Sequence, residues 1–317
     1  MKYLQFSNGD QMPALGLGTW KSAKGEIYKT IRTALEIGYR HFDCAYIYGN
    51  EHEIGLAIAD AIKNNEVTRE NLWITSKLWN NRHRRDDVHP AIETTLRDLH
   101  LEYLDLYLIH WPVALIYDVN YPQNAGDLIS LEHLPLSETW HEMIALKNKG
   151  LARHIGVSNF SIKKINQLTT ETGVLPEALQ VELQPFHQQN DLLAYTQNKG
   201  ICLTGFCPLG SADRPASRIS PNEPKLFENA TILTIAATKG CTPAQVMLAW
   251  AINRGTSVIP KSVNASRLKE NLAAADIVLS ETEMAAMNAL DKHYRFIKGD
   301  FWCLAGSDYT LDNLWDE

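Results

Sequence analysis

The chain has 317 residues, 45% of them hydrophobic and 21% charged, which supports a large buried core and excludes a disordered chain. Its formal charge of −7 argues against nonspecific binding to nucleic acid, which needs a basic face. No run of about 20 apolar residues is present to span a membrane, the N-terminus lacks the apolar core of a signal peptide, and the five scattered cysteines show no CxxC spacing, so reduced thiols in a cytoplasm are expected.

Along the chain, Tyr3 to Phe6, Asn8-Gly9 and residues 12–15 read first as a small hairpin closing one end of the fold. Short apolar runs rich in β-branched and aromatic residues then alternate with stretches of helical period. The runs at 14–18, 39–44, 72–77, 104–110, 154–158, 179–183, 202–206 and 257–261 predict about eight strands. Their near-continuous apolarity suits parallel strands covered on both faces. Helices are expected over 26–37, ended by Gly38, and over 51–63, with Ile54, Ala57, Ile58, Ala61 and Ile62 on one face. Further helices are expected over 87–99, 137–148, 161–172 and 191–198, the second of these opened by Ser137 as N-cap. Thr242-Pro243-Ala244 starts another, with proline at a tolerated first-turn position.

No composition break marks a linker, so one domain over 1–317 is expected. Strict alternation of strand and helix leaves a closed barrel or an open doubly wound sheet. The second should carry G-x-G-x-x-G after its first strand. Gly16 and Gly18 have the spacing of the first two glycines, but Lys21 stands where the third belongs. The expectation is therefore a (β/α)8 TIM barrel, α/β in class, with the N-terminal β-hairpin and long substrate loops at its C-terminal face.

In such a barrel, catalytic groups come from the C-terminal ends of several strands. Here those ends carry Trp20, Asp43, Lys77, His110, Ser158-Asn159, Gln180, Phe206-Cys207-Pro208 and Lys261. Asp43 and Lys77 directly follow apolar runs, and such charges are rarely buried unless paired. Taken alone, the two also fit a structural ion pair, His110 fits a hydrogen-bonded core histidine, and Tyr48 carries no signal.

Together these residues resemble something specific. Gly38-Tyr39-Arg40-His41-Phe42-Asp43-Cys44-Ala45-Tyr46-Ile47-Tyr48-Gly49-Asn50-Glu51, followed by Ile54-Gly55, resembles the first signature of the aldo-keto reductase family. Arg153-His154-Ile155-Gly156-Val157-Ser158-Asn159-Phe160 resembles the second. Ile259-Pro260-Lys261-Ser262, with Arg267, Glu270 and Asn271, resembles the third. The resemblance runs from about Met12 to Asp291.

It implies a catalytic tetrad of Asp43, Tyr48, Lys77 and His110. A phenol of pKa ~10 can protonate a nascent alkoxide if a lysine ammonium beside it favours the phenolate, and Asp43 would hold that lysine. His110 would donate to the carbonyl oxygen. No metal is implied, and no cluster has ligand spacing. The cofactor implied is NADPH (NADP+), with Thr19 and Trp20 beside it and Ser158, Asn159 and Gln180 on its amide. Phe206 stands where the family usually stacks a tyrosine on the nicotinamide, and Cys207 where a serine is usual. Pro208, Leu209 and Ser211 belong to the backbone meeting the pyrophosphate. Lys261, Ser262 and Arg267 resemble a 2′-phosphate clamp, favouring NADPH over NADH. Glu270 and Asn271 match adenine contacts.

The long loops at 111–135 and 211–227 and the tail at 295–317 should frame the substrate. Trp20, Trp79, His110, Trp111 and Trp302 are the expected substrate contacts, an apolar pocket suited to aldehydes, with ketones or open-chain sugars as extensions. A sugar or sugar-phosphate reductase of the xylose or aldose type is the enzymatic alternative. An NADPH-binding regulatory subunit, or a purely structural role, is the alternative of another class. A small-molecule carbonyl substrate is expected as partner, with no nucleic acid and no membrane, for a monomer or weak dimer.

Overall fold

The computed structural model describes residues 2–23 and 25–317. A short antiparallel hairpin, β1 (Tyr3–Gln5) and β2 (Gln11–Pro13), comes first, with Leu4 opposite Met12. The barrel begins with β3 (Leu17–Gly18), β4 (His41–Asp43), β5 (Trp73–Leu78) and β6 (Leu104–Ile109). A minor antiparallel pair, β7 (Ala114–Leu115) and β8 (Leu128–Ile129), sits in the long loop after β6. The barrel resumes with β9 (Ala152–Ser158), β10 (Ala178–Glu182), β11 (Cys202–Phe206) and β12 (Ser257–Val258).

The eight strands pair in parallel, in the order β3-β4-β5-β6-β9-β10-β11-β12. Parallel bridges Leu15↔Val258 and Gly18↔Lys261 join the first strand to the last, and the sheet closes as a (β/α)8 barrel. The glycines that fail as a dinucleotide fingerprint serve this geometry. A Cβ on Gly18 would stand 2.7 Å from Ile259 O, and one on Gly16 would stand 2.7 Å from the His41 ring. Only glycine lets these backbones approach so closely. The runs expected at 14–18 and 257–261 form strands of just two residues each, and Pro260 has no N–H with which to extend the second.

Helices cover the outside: α1 (Ile27–Ile37), α2 (Glu51–Lys63), α3 (Arg85–Leu99), α4 (Leu136–Asn148), α5 (Ile162–Thr172), α6 (Asn190–Lys199), α7 (Ala230–Lys239), α8 (Pro243–Asn253), α9 (Ala265–Ala273), α10 (Glu281–Asn288) and α11 (Leu311–Trp315). α2 buries Ile54, Ala57, Ile58 and Ala61 as the spacing predicts. α8 opens with a capping box between Thr242 and Gln245. The expected N-cap Ser137 is a correction: α4 begins at Leu136 after Pro135, and the Ser137 side chain makes no capping bond.

The hairpin closes the barrel end away from the strand C-termini, where Phe6 packs on Trp73 at 5.1 Å and His154 at 4.0 Å between ring centroids. That leaves the C-terminal face free for loops. All five cysteines are unpaired. Among the described residues no helix is long and apolar enough to cross a membrane.

Candidate active site

Three adjacent strands bring Asp43, Lys77 and His110 to one end of the barrel. Asp43 is the last residue of β4, Lys77 the last but one of β5, and His110 follows β6. The register aligns Asp43 with Thr75, and Lys77 with Leu108. Tyr48 is delivered by a single 3-10 turn over Tyr46–Tyr48, closed by Gly49 in the left-handed region.

Lys77 is 1% exposed and Asp43 is 2% exposed. Burying two charges this deeply requires pairing, and the pairing is complete. Lys77 Nζ donates to Asp43 Oδ1 in a very short bond, to Cys44 O at 2.8 Å and to Tyr48 Oη at 3.4 Å. Gln180 Nε2 donates to the other Asp43 oxygen at 2.7 Å. A buried chain thus runs Gln180–Asp43–Lys77–Tyr48. The Tyr48 ring lies 5.9 Å from the His110 ring.

Electrostatics follow from burial. Desolvation pushes the Tyr48 phenol up to about 12, against the opposing pull of the Lys77 ammonium. The easing expected from Lys77 is present, but burial outweighs it. Burial acts to lower Lys77, yet Asp43 and Tyr48 more than offset this and the ammonium is held above its ordinary range. His110 is held well below the usual histidine range by burial, with the charges of Lys77 and His83 adding, so its ring is neutral.

The expected cofactor residues cluster beside this chain. Ser158 Oγ donates to Gln180 O at 2.9 Å, and Asn159 Nδ2 donates to His110 O at 2.9 Å. Asn159 has φ +63°, and its Oδ1 is buried with no partner among the described residues. Thr19 Oγ1 donates to Asp43 O at 2.8 Å, so it braces the strand end. Phe206 and Cys207 are half-buried at the end of β11, and Cys207 has φ +48°. Pro208, Leu209 and Ser211 continue this turn, in which Gly210 N donates to Cys207 O at 2.9 Å.

Lys261 follows β12, and Arg267, Glu270 and Asn271 lie on α9. Arg267 Nε reaches Ser262 Oγ at 3.5 Å, while neither Lys261 nor Arg267 has a carboxylate partner among the described residues. Glu270 accepts from Ser266 Oγ at 3.2 Å, and Asn271 is buried.

Aromatic rings wall the other side. Trp20, 42% exposed, lies 4.8 Å from Tyr48, and Trp79 lies 5.0 Å from His110. Trp111 meets Phe301 at 5.5 Å, Trp302 at 5.8 Å and Trp315 at 5.9 Å. Trp302 is only 1% exposed, so it backs this wall, and the half-buried Phe301 stands in front of it. Trp302, expected as a substrate contact, lies deepest in this aromatic cluster, beside Trp79 and Trp111.

Comparison with known proteins identifies a family. The family model described as Aldo/keto reductase family matches residues 14–292. The chain belongs to the aldo/keto reductase family. It is 53% identical over 317 residues to a protein of Synechocystis sp. named as an aldo/keto reductase, covering 100% of this chain and 97% of that one. It is 45% identical over 291 residues to aldo-keto reductase family 1 member A1 of Homo sapiens, covering 91% and 89%. A solved aldose reductase of Schistosoma japonicum superposes with a TM-score of 0.86 at 37% identity, covering 98% of this chain and 100% of that one. Membership makes the chain an oxidoreductase acting on carbonyl compounds.

Four residues near the family site escaped the sequence reading. Glu182, at the end of β10, accepts from the backbone N–H groups of Phe296 and Ile297 at 2.8 and 2.7 Å. Arg214 is buried in the long loop after β11, and Lys164 of α5 donates to Asn313 O at 2.5 Å and to Asp316 at 2.6 Å. Trp315 donates from Nε1 to Lys298 O at 2.7 Å. Glu182 had a signal, since it is a charge inside an apolar strand run. The other three sit among polar neighbours and had none.

Proposed function

We propose that this chain reduces aldehydes to alcohols with NADPH, using Tyr48 as the proton donor. The buried chain Gln180–Asp43–Lys77–Tyr48 carries the reading, because it points an ammonium at a phenol beside a neutral histidine.

The residues fit the cofactor. The unpartnered Asn159 Oδ1 is an acceptor for a carboxamide N–H, and the half-buried Phe206 ring offers a stacking face. Lys261, beside Ser262 in the chain, and Arg267, which reaches the Ser262 hydroxyl, are cations without carboxylate partners among the described residues and suit a phosphate monoester such as the 2′-phosphate. Ser158, Gln180, Cys207, Pro208, Leu209, Ser211, Glu270 and Asn271 would complete the site, with Thr19 and Trp20 at its edge. When bound, NADPH supplies the hydride.

The protein's own residues do the rest. A neutral His110 can donate one N–H to a carbonyl oxygen placed between it and Tyr48. As negative charge grows on that oxygen, the Tyr48 O–H is its nearest acid. A phenol held at about 12 stays protonated at any neutral pH, yet it is a far stronger acid than the alcohol being formed. After the proton leaves, Lys77 faces the phenolate and stabilises it, while Asp43 keeps the lysine in place. Trp20, Trp79 and Trp111 would line the substrate side and exclude water.

The direct test is turnover of a benzaldehyde-type substrate with NADPH and, separately, NADH. Oxidation of NADPH that depends on the aldehyde supports the reading. Tight NADPH binding with no turnover of any carbonyl compound would instead identify a binding subunit.

A further inference from the structure

The loop over residues 211–227 and the chain following Asp291 lie side by side, and several bonds join them. Arg214, 7% exposed, donates from Nε to Ser211 O at 2.8 Å within the loop and from Nη1 to Phe296 O of the tail at 2.6 Å. Its Nη2 is ion-paired with Glu223, whose other oxygen accepts from Tyr294 Oη at 3.2 Å. The Arg218 guanidinium stands 5.0 Å over the Phe301 ring, and Lys298 Nζ reaches Ser220 Oγ at 3.4 Å.

Each partner has a second attachment. On the barrel side the tail is fixed by Glu182, and by Gln184 Nε2 donating to Tyr294 O at 2.9 Å. Beyond that anchor it supplies Phe301 and Trp302, which pack on Trp111. The loop starts at Ser211 and is held by Lys21, whose Nζ lies 3.2 Å from Asp213 Oδ2. One edge of the loop therefore adjoins the proposed pyrophosphate turn, and the other adjoins the aromatic wall.

We infer that Arg214 is a positioning residue that ties the aromatic wall to the cofactor loop, so that cofactor binding fixes the wall on which longer substrates rest. The inference builds on the reading of 208–211 as a cofactor-contacting turn. A guanidinium presents a rigid planar fork, so two backbone oxygens and a carboxylate bonded to it share one geometry. Connecting loops are drawn from the less stable part of a fold. A ligand that orders the loop then reduces the free energy needed to order the tail, which is a positive coupling between two sites. An aromatic aldehyde long enough to reach Phe301 and Trp111 senses this coupling. A short one such as propanal does not.

Hydrogen exchange on the full-length protein, with and without NADPH, reads the coupling without reference to turnover. In the wild type, NADPH is expected to slow exchange in both 211–227 and 294–302. In Arg214→Lys, which keeps the charge facing Glu223 but loses the fork, only the loop is slowed. Arg214→Met combined with Glu223→Gln removes the ion pair as a unit, leaves no unpaired buried carboxylate, and should behave alike. In kinetics, KM for cinnamaldehyde rises about 5- to 10-fold in the variants while kcat stays within about twofold and propanal is unaffected, a size typical of inter-site coupling. Equal tail protection in wild type and variants, or equal effects on both aldehydes, overturns the inference. So does NADPH that protects neither segment of the wild type. Protection of both segments only when Arg214 is present, in a protein that reduces no aldehyde, upholds the coupling and removes the reductase reading instead.

Discussion

Tyr48→Phe removes one hydroxyl and keeps the ring against Trp20 and His110. General acid catalysis contributes about 10²–10⁴-fold, so kcat should fall by at least ~100-fold while NADPH affinity is retained. Near-wild-type turnover would remove Tyr48 from the mechanism. Arg267→Ala deletes a cation that contacts Ser262, and NADH has no phosphate to lose. A charge-assisted hydrogen bond contributes ~1.5–3 kcal/mol, or about 10- to 150-fold, so NADPH should weaken by that factor with NADH unchanged. Titration of both cofactors by tryptophan fluorescence checks it, and equal losses would make Arg267 structural. Glu51 gives a pH signature. Burial lifts its carboxyl to about 7, against hydrogen bonds from Ser76 Oγ at 2.5 Å and Thr95 Oγ1 at 3.1 Å. Between its ordinary 4.5 and 7 the folded protein keeps a proton that the unfolded chain has released, so this contribution to stability falls as pH rises through that window and stays low above it. Glu51→Gln should therefore gain in Tm over wild type at pH 8 and show little gain at pH 4.5. A gain independent of pH would contradict the assignment. The clustering of Asp43, Tyr48, Lys77 and His110 was legible because Asp43, Lys77 and His110 are polar interruptions at the ends of apolar runs and the signatures supply Tyr48. The burial of Glu51 was not, because an acid opening a helix looks solvated until Ser76 and Thr95 close over it.

Elements decide which substrate is taken. The wall of Trp79, Trp111 and Phe301 rewards apolar area at ~25 cal/mol per Å² and offers few partners to sugar hydroxyls. Aromatic and medium-chain aldehydes should exceed xylose and glucose in kcat/KM by about 100-fold or more, since desolvated hydroxyls go uncompensated. Trp111→Ala should narrow the gap by harming the aromatic substrates. Because Trp111 also supports Trp302 and Trp315, it should lower Tm as well. Xylose outperforming benzaldehyde would place polar partners where the wall is drawn apolar. At this scale the sequence was readable wherever one periodicity dominated. β11 has the bounds its apolar run predicts, and α2 buries the face its spacing predicts. α7, with isoleucines and alanines spread around its turns, showed no clear stripe. The tail was opaque because its order comes from partners far along the chain, such as Lys164 at Asp316 and Glu182 at Phe296.

The molecule as a whole depends on one seam. Gly16 N donates to Val258 O at 2.9 Å, Val258 N to Ala14 O at 2.9 Å and Gly18 N to Pro260 O at 3.2 Å. Gly18→Ala would press a methyl group onto a backbone oxygen that cannot swing aside. Overpacking of this kind costs about 1–3 kcal/mol, so Tm should fall by several degrees and, with Thr19 and Lys261 beside the seam, cofactor affinity should fall too. An unchanged Tm would mean the seam yields. The joined partners are remote, Pro13 and Ser257 lying 244 residues apart. During synthesis the first strand therefore waits, unpaired on one side, until nearly the whole chain has left the ribosome. Through that interval the growing sheet presents two open borders to every neighbouring nascent chain. The border that stays open throughout, β3, carries a ladder of only two residues, and β12, which finally meets it, is equally short with Pro260 beside it. A border so short is a poor template for pairing with a second copy, and the late-closing topology is thereby shielded from aggregation while it waits.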